Sequence, residues 1–206
     1  MKRNSTLAFI KGLFSFNNNT DSIEKTQVTI PEPSPKWEEK DGIIYFEVTS
    51  DGTTGPEWTN RIYQKGFRLG SFIKPHGGLL HSDDFKPTTG ITTRVAVLKG
   101  QLFDDSNRDL EHIAAASAGH NFTIPCAEIA CLAREKFTDQ ELKAMGLEYM
   151  FIMHEPIIAS NGNSYQLCLD TSIVGKFISG YEVDRGPEVV FSEGCGFAYV
   201  LYETTD

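Results

Sequence analysis

The apolar positions of this chain change rhythm twice along its length. Ile43 to Thr49 is a run of β-forming residues that closes on Asp51-Gly52, a turn signal. Thr54-Gly55-Pro56-Glu57 then combines a capping box with a proline in the first helical turn. The helix it predicts puts Trp58 and Ile62 on one face and stops at Gly66. From Phe67 to His81 the pattern is ambiguous: Phe72, Ile73, Leu79 and Leu80 suit a helix, while Pro75, Gly77 and Gly78 break it. Thr92 to Leu98 reads as a strand with Val95 and Val97 on one face, and Leu110, Ile113 and Ala114 mark a helix that ends at Gly119. Thr123 and Pro125 open a third helix, whose buried stripe is Cys126, Ile129, Ala130, Ala133 and Phe137. Thr138-x-x-Glu141 is a second capping box, and Gly146 closes the short helix behind it.

After Gly146 the pattern is mostly that of strands. Tyr149 to Ile158 reads as one long apolar strand, Ser160-Asn161-Gly162-Asn163 as a hairpin loop and Tyr165 to Leu169 as the return. Phe177 to Val183 and Phe197 to Tyr202 are two more strands. Helices gathered in the middle and hairpins at the end predict an α+β domain. Its sheet is expected to be largely antiparallel, with several short helices on one face. The globular part is expected over residues 42–206. Ahead of it, residues 1–16 form a basic amphipathic segment with Leu7, Phe9, Ile10, Leu13, Phe14 and Phe16 on one side, and residues 17–41 read as a Pro/Asn-rich linker that is extended or mobile. Lys11 interrupts the apolar run, so a secretory signal is a poor match. No apolar run is long enough for a membrane span.

Charge narrows the choice of partners. The chain has 206 residues and a formal net charge of −9, and residues 138–206 hold eleven acidic against three basic side chains. An acidic surface repels phosphate backbones, so nucleic acid is disfavoured and a basic protein partner is allowed. The four cysteines, Cys126, Cys131, Cys168 and Cys195, match no zinc or C-x-x-C spacing, so a reduced, cytoplasmic chain is the simplest expectation. No phosphate loop, dinucleotide fingerprint or other cofactor motif is present.

Three groups of residues are candidates for chemistry. His154 and Glu155 end the apolar strand. Neighbours on a strand point to opposite faces, so they meet in one pocket only if a bulge intervenes before Pro156. His154 is the candidate general base, with Glu155 or Glu128 as its carboxylate partner. Trp58, Arg61 and Arg68 are candidate binding residues, with Tyr63 or Tyr45 beside them. His76, His81 and Asp83 are the candidate metal ligands, because their types suit a divalent ion. Cys131 shares a helix face with Glu128 and Glu135, whose charge opposes a thiolate. Cys126, in the expected first turn of that helix, is the better thiol on electrostatic grounds, although it falls on the apolar stripe.

Several segments together resemble a family of uncharacterised bacterial hypothetical proteins. They are Pro56-Glu57-Trp58, Lys65 to Arg68, Thr93 to Gly100, Ala127 to Phe137, Met145-Gly146-Leu147 and Met153 to Ile157. The resemblance implies a bacterial origin and one compact domain. It implies no activity, ligand or catalytic residue, and it leaves residues 1–40 as an addition. Three readings of function follow from the residues, of which the third is a metal-dependent site at His76, His81 and Asp83. The first is a non-catalytic interaction domain, tethered to a protein partner or a membrane surface by its N-terminal segment and offering its acidic C-terminal surface. The second is a small hydrolase with its site around His154.

Overall fold

A computed structural model describes residues 35–70, 73, 78–171, 177–183 and 189–201. Expectations that fall on residues 1–34, and on Phe72, Pro75, His76 and Gly77, lie outside it. The sheet begins with two strands joined by the tightest kind of hairpin. β1 (Glu38–Lys40) turns through Asp41 and Gly42, both at positive φ, into β2 (Ile43–Asp51). That conformation is the one a two-residue hairpin loop requires. β4 (Thr89–Lys99) lies antiparallel along the whole of β2. Between them in sequence come α1 (Gly55–Gln64) and the short β3 (Arg68–Leu69). β4 leads to α2 (Leu110–Gly119), β5 (Phe122–Thr123), α3 (Ile129–Lys136) and α4 (Asp139–Ala144). The chain finishes with β6 (Tyr149–Ile152), β7 (Ile157–Ile158), β8 (Ser164–Asp170), β9 (Phe177–Glu182) and β10 (Cys195–Leu201).

The strand order is β1-β2-β4-β10-β6-β8-β9-β3, with β5 on β10 and β7 on β8. The last strand is therefore central: β10 runs antiparallel to β4 and parallel to β6. β3 and β9 form a second parallel pair. The sheet is mostly antiparallel but mixed. Nothing in the local pattern announces the parallel joints, because a strand's own sequence does not name its neighbour.

Strand periodicity sorts the side chains into two cores. Ile44, Phe46, Val48, Val95, Val97, Leu167 and Leu169 meet Trp58 and Ile62 of α1, Ile129, Ala130 and Ala133 of α3 and Leu142 of α4. On the other face Ile43, Ala96, Leu98, Phe151, Cys168 and Phe197 meet Ile113 of α2. The helices thus lie on both faces, not one. The aromatic rings of Phe151, Phe191 and Phe197 fill the second core, with centroids 5.0–5.8 Å apart. α2 alone cannot cover that face, and these rings bury the area it leaves.

Both predicted capping boxes form. The Thr54 and Thr138 backbone N–H groups donate to the carboxylates of Glu57 and Glu141, at 2.8 and 2.7 Å. α3 starts later than expected. Pro125 is followed by tight turns in which Ile129 N–H donates to Cys126 and Ala130 N–H to Ala127, so Cys126 precedes the helix and is exposed instead of joining its stripe. The expected linker also ends earlier: Trp37 packs on the core, Glu38–Lys40 belong to the sheet, and Lys36 bridges to Glu141 at 2.7 Å. No helix among the described residues is long and apolar enough to cross a membrane.

Gly55 shows how closely α1 is held. A Cβ there would sit 1.6 Å from the backbone oxygen of Leu80, and backbone cannot yield as a side-chain tip does. Gly55→Ala is expected to lower stability by about 3 kcal/mol, the upper range for overpacking. Urea unfolding of the two proteins measures it; an unchanged midpoint would mean α1 is loosely seated.

Candidate functional site

The long strand expected from Tyr149 to Ile158 is interrupted, and the interruption creates the site. Pairing with β8 runs to Phe151↔Cys168 and resumes at Ile157↔Tyr165, so residues 152–156 face only Gln166 and Leu167. Pro156 has no N–H to give to a ladder. The surplus residues bulge, and Leu167 N–H is left without a strand carbonyl. His154 supplies the acceptor: its Nε2 takes the Leu167 N–H at 2.8 Å. Gln166 Nε2 donates to the His154 carbonyl at 2.7 Å, and His154 Nδ1 lies 2.6 Å from the Glu155 carbonyl.

These contacts fix the tautomer. Nε2 must accept, so the proton sits on Nδ1 and donates to Glu155 O. A proton on Nε2 would face the Leu167 N–H head-on. Burial pushes the His154 pKa down to about 4, against the small upward pull of the Glu155 carbonyl. The imidazole is neutral at pH 7 and both its nitrogens are occupied.

The bulge borders a cavity of about 300 Å³ lined by Asp84, Lys86, Cys126, His154 and Glu155. The condition for His154 and Glu155 to share a pocket is therefore met. The expected catalytic pairing is not: His154 bonds to the backbone carbonyl of Glu155, not to its carboxylate. Glu128 is fully buried elsewhere, where Oε2 accepts from Thr88 N–H at 2.8 Å and Thr88 Oγ1 at 3.1 Å. Its Oε1 has no hydrogen-bond partner among the described residues. The structure thus places His154, the candidate general base, with both ring nitrogens on backbone groups. Cys126 lines the same cavity, but partial burial and the nearby Glu128 carboxylate push its thiol pKa up, so it is not activated.

The other candidates separate in the same way. Cys131 is fully buried, and its pKa lies well above the ordinary value because of burial first and the Glu128 and Glu135 charges next. Trp58, Arg61 and Arg68 occupy different settings. Trp58 is fully buried in the core; Arg61 lies over its ring, with the guanidinium carbon 4.6 Å from the centroid, and Arg68 is exposed on the edge strand β3. Arg61 is spent on Glu135, Asp51 and Thr53. Of the metal candidates, His76 lies outside the described residues, His81 Nε2 is 3.3 Å from Thr59 Oγ1, and Asp83 is exposed. No group of three or more metal-ligating side chains gathers among the described residues.

Two buried arginines had no signal in the sequence. Arg108 donates to the carbonyls of Gly100, Phe103 and Phe191 and to Asp105. Arg134, fully buried, donates to Phe137 O at 2.5 Å, pairs with Asp139 at 2.8 Å and covers the Phe67 ring. A charged residue between apolar neighbours reads as a solvated position until its distant acceptors are placed.

No protein-family model, no curated protein and no solved structure matches the chain.

His154 gives the fold a pH dependence of definite sign. The unfolded side chain protonates near 6.5 and the folded one only near 4. Its contribution is complete above pH 6.5, falls as pH drops from 6.5 to 4, and totals on the order of 3 kcal/mol. Asp51 and Glu141, held at about 2 by Arg61 and Lys36, lose their contributions only lower down. Urea midpoints of the wild type should therefore fall between pH 6.5 and 4.5. Those of His154→Ala should start lower and stay flat over that interval; a parallel slope in the variant would remove this role. Among the cysteines, Cys126 alone is exposed while Cys131, Cys168 and Cys195 are buried, with Cys168 pushed up to about 12. Iodoacetamide on the native protein should label Cys126 alone, slowly at pH 7 and faster as pH rises above 9. Mass spectrometry of the peptides reads the outcome.

Proposed function

We propose that the chain is a non-catalytic interaction domain. It engages a protein partner through residues 1–34 and presents the acidic surface of residues 138–206 as a second contact. One observation carries the reading: the residue best suited by type to be a general base, His154, has both ring nitrogens committed to backbone groups of its own bulge. The excess of acid over base in the C-terminal third favours a basic protein partner over nucleic acid. The basic amphipathic pattern of residues 1–16 also suits a membrane surface, and a cytoplasmic setting agrees with four free cysteines.

The cavity beside His154 favours a second reading, a small hydrolase. It brings a thiol, an amine and two carboxylates to one concave place. Cys126 or Glu155 would then have to carry the chemistry, because His154 has no nitrogen to offer.

The chain divides between Ser34 and Pro35, which makes the first reading testable. Protein lacking residues 1–34 should keep its urea midpoint within about 0.5 kcal/mol of stability, the usual tolerance for changes away from packed features. It should lose the partner that full-length protein retains in pull-down and co-sedimentation. Equal partner retention by the truncated protein would overturn the tether. Turnover of a broad ester and amide panel that is lost in Cys126→Ala or Glu155→Gln would replace it with the hydrolase reading.

A further inference from the structure

Among the described residues, the first hairpin leaves part of β2 without a strand partner. A two-residue turn with both residues at positive φ closes on a pair that exchanges two hydrogen bonds. That pair is Lys40↔Ile43, and Glu38↔Tyr45 is the next of the same kind. With a period of two, Glu47 and Thr49 also direct their N–H and C=O groups toward the β1 side. The β1 ladder stops at Glu38↔Tyr45, whereas β2 continues to Asp51. Among the described residues, nothing pairs with the outer edge of β2 beyond Tyr45.

A groove of about 270 Å³ runs at this edge, lined by Glu47, Val48, Thr49, Leu132, Glu135 and Lys136. Val48 and Leu132 make its floor apolar, both nearly fully buried. Glu135 is already neutralised by Arg61 and Lys65. Glu47 is exposed on the opposite face of β2 and has no ion pair among the described residues.

We propose that the outer edge of β2 from Glu47 to Thr49 takes an extended, basic peptide of another protein as an additional strand, with an apolar side chain in the groove against Val48 and Leu132. This rests on the interaction reading above and gives that reading a second contact site. Unpaired, in-register N–H and C=O groups select an extended backbone. Strand alternation then assigns the side chains. The residue opposite Val48 points toward α3 and fills the groove, and the residue opposite Glu47 lies beside an unpaired carboxylate, so Lys or Arg belongs there. A second copy of this chain is a poor occupant. An antiparallel pairing of two β2 edges would bring together the Glu47 carboxylates of two chains that each carry a formal charge of −9.

The test uses the full chain and a nine-residue peptide alternating Lys and Val, followed by fluorescence anisotropy. The peptide should bind and should protect the Glu47 and Thr49 amides from hydrogen exchange. N-methylating the peptide's backbone on the ladder side should weaken binding about tenfold, since it removes the hydrogen bonds and keeps the charge. Glu47→Lys, an exposed substitution that leaves the core alone, should weaken the Lys/Val peptide about fivefold and strengthen a Glu/Val peptide. Equal binding of the N-methylated peptide would reduce the effect to charge attraction and overturn the proposal. So would binding that appears only once residues 1–34 are removed, or self-association of the protein through the same amides. If every peptide fails while full-length protein still holds its partner through residues 1–34, the interaction reading stands and the β2 edge falls.

Discussion

A backbone N–H or C=O taken out of water must find a partner, and much of this structure follows from that one requirement. The charged and polar side chains buried in it serve main chain. His154 accepts the Leu167 N–H that a bulge orphans, Glu128 accepts the Thr88 N–H, Arg134 donates to Phe137 O, and Arg108 ties the carbonyls of Gly100, Phe103 and Phe191. Each satisfies a backbone group at a loop, a bulge or an element end. Removing one would leave a buried polar group unpaired, which costs more than the bond itself contributes. Histidine suits its position because one neutral ring can accept on one nitrogen and donate on the other.

The same requirement changes how titratable clusters in this protein are read. Glu128, Cys131, Arg134 and Glu135 lie close together on or beside one helix. In space, Glu135 turns to Arg61 and Lys65, Arg134 turns inward to the end of its own helix, Glu128 holds the strand entry at Thr88, and Cys131 is a buried thiol between them. Perturbed pKa values here come from burial and structural pairing, which perturb as strongly as catalytic environments do. The edge of β2 is the complementary case: backbone groups that no described part of the chain has taken.

Local patterns gave most elements and few relations between them. Both capping boxes, the α1 stripe of Trp58 and Ile62, and the β2, β4, β8 and β9 strands could be read because each depends on residues within a turn or two. The continuous strand from Tyr149 to Ile158 could not be read correctly. Its bulge depends on how many residues β8 offers opposite it, a number set by another segment. Helices on a single face were expected for the same reason: the pattern of α2 shows an apolar side but not which side of the sheet receives it. Of the candidate site, the residues His154 and Glu155 were legible and their hydrogen-bond partners were not.

The sequence by itself determined the alternation that builds two sheet faces, the caps that start α1 and α4, the acidic C-terminal third, and thiols without metal spacing. Those are properties of neighbours along the chain, and short-range physics decides them. Tertiary structure alone decided that strand β10 lies at the centre beside β4 and β6, that helices cover both faces, and that His154 is spent on holding backbone while the outer edge of β2 beyond Tyr45 is unpaired among the described residues. Each of these depends on pairing between segments far apart in sequence. There one strand's surplus or missing hydrogen bond is defined only by the strand that lies against it.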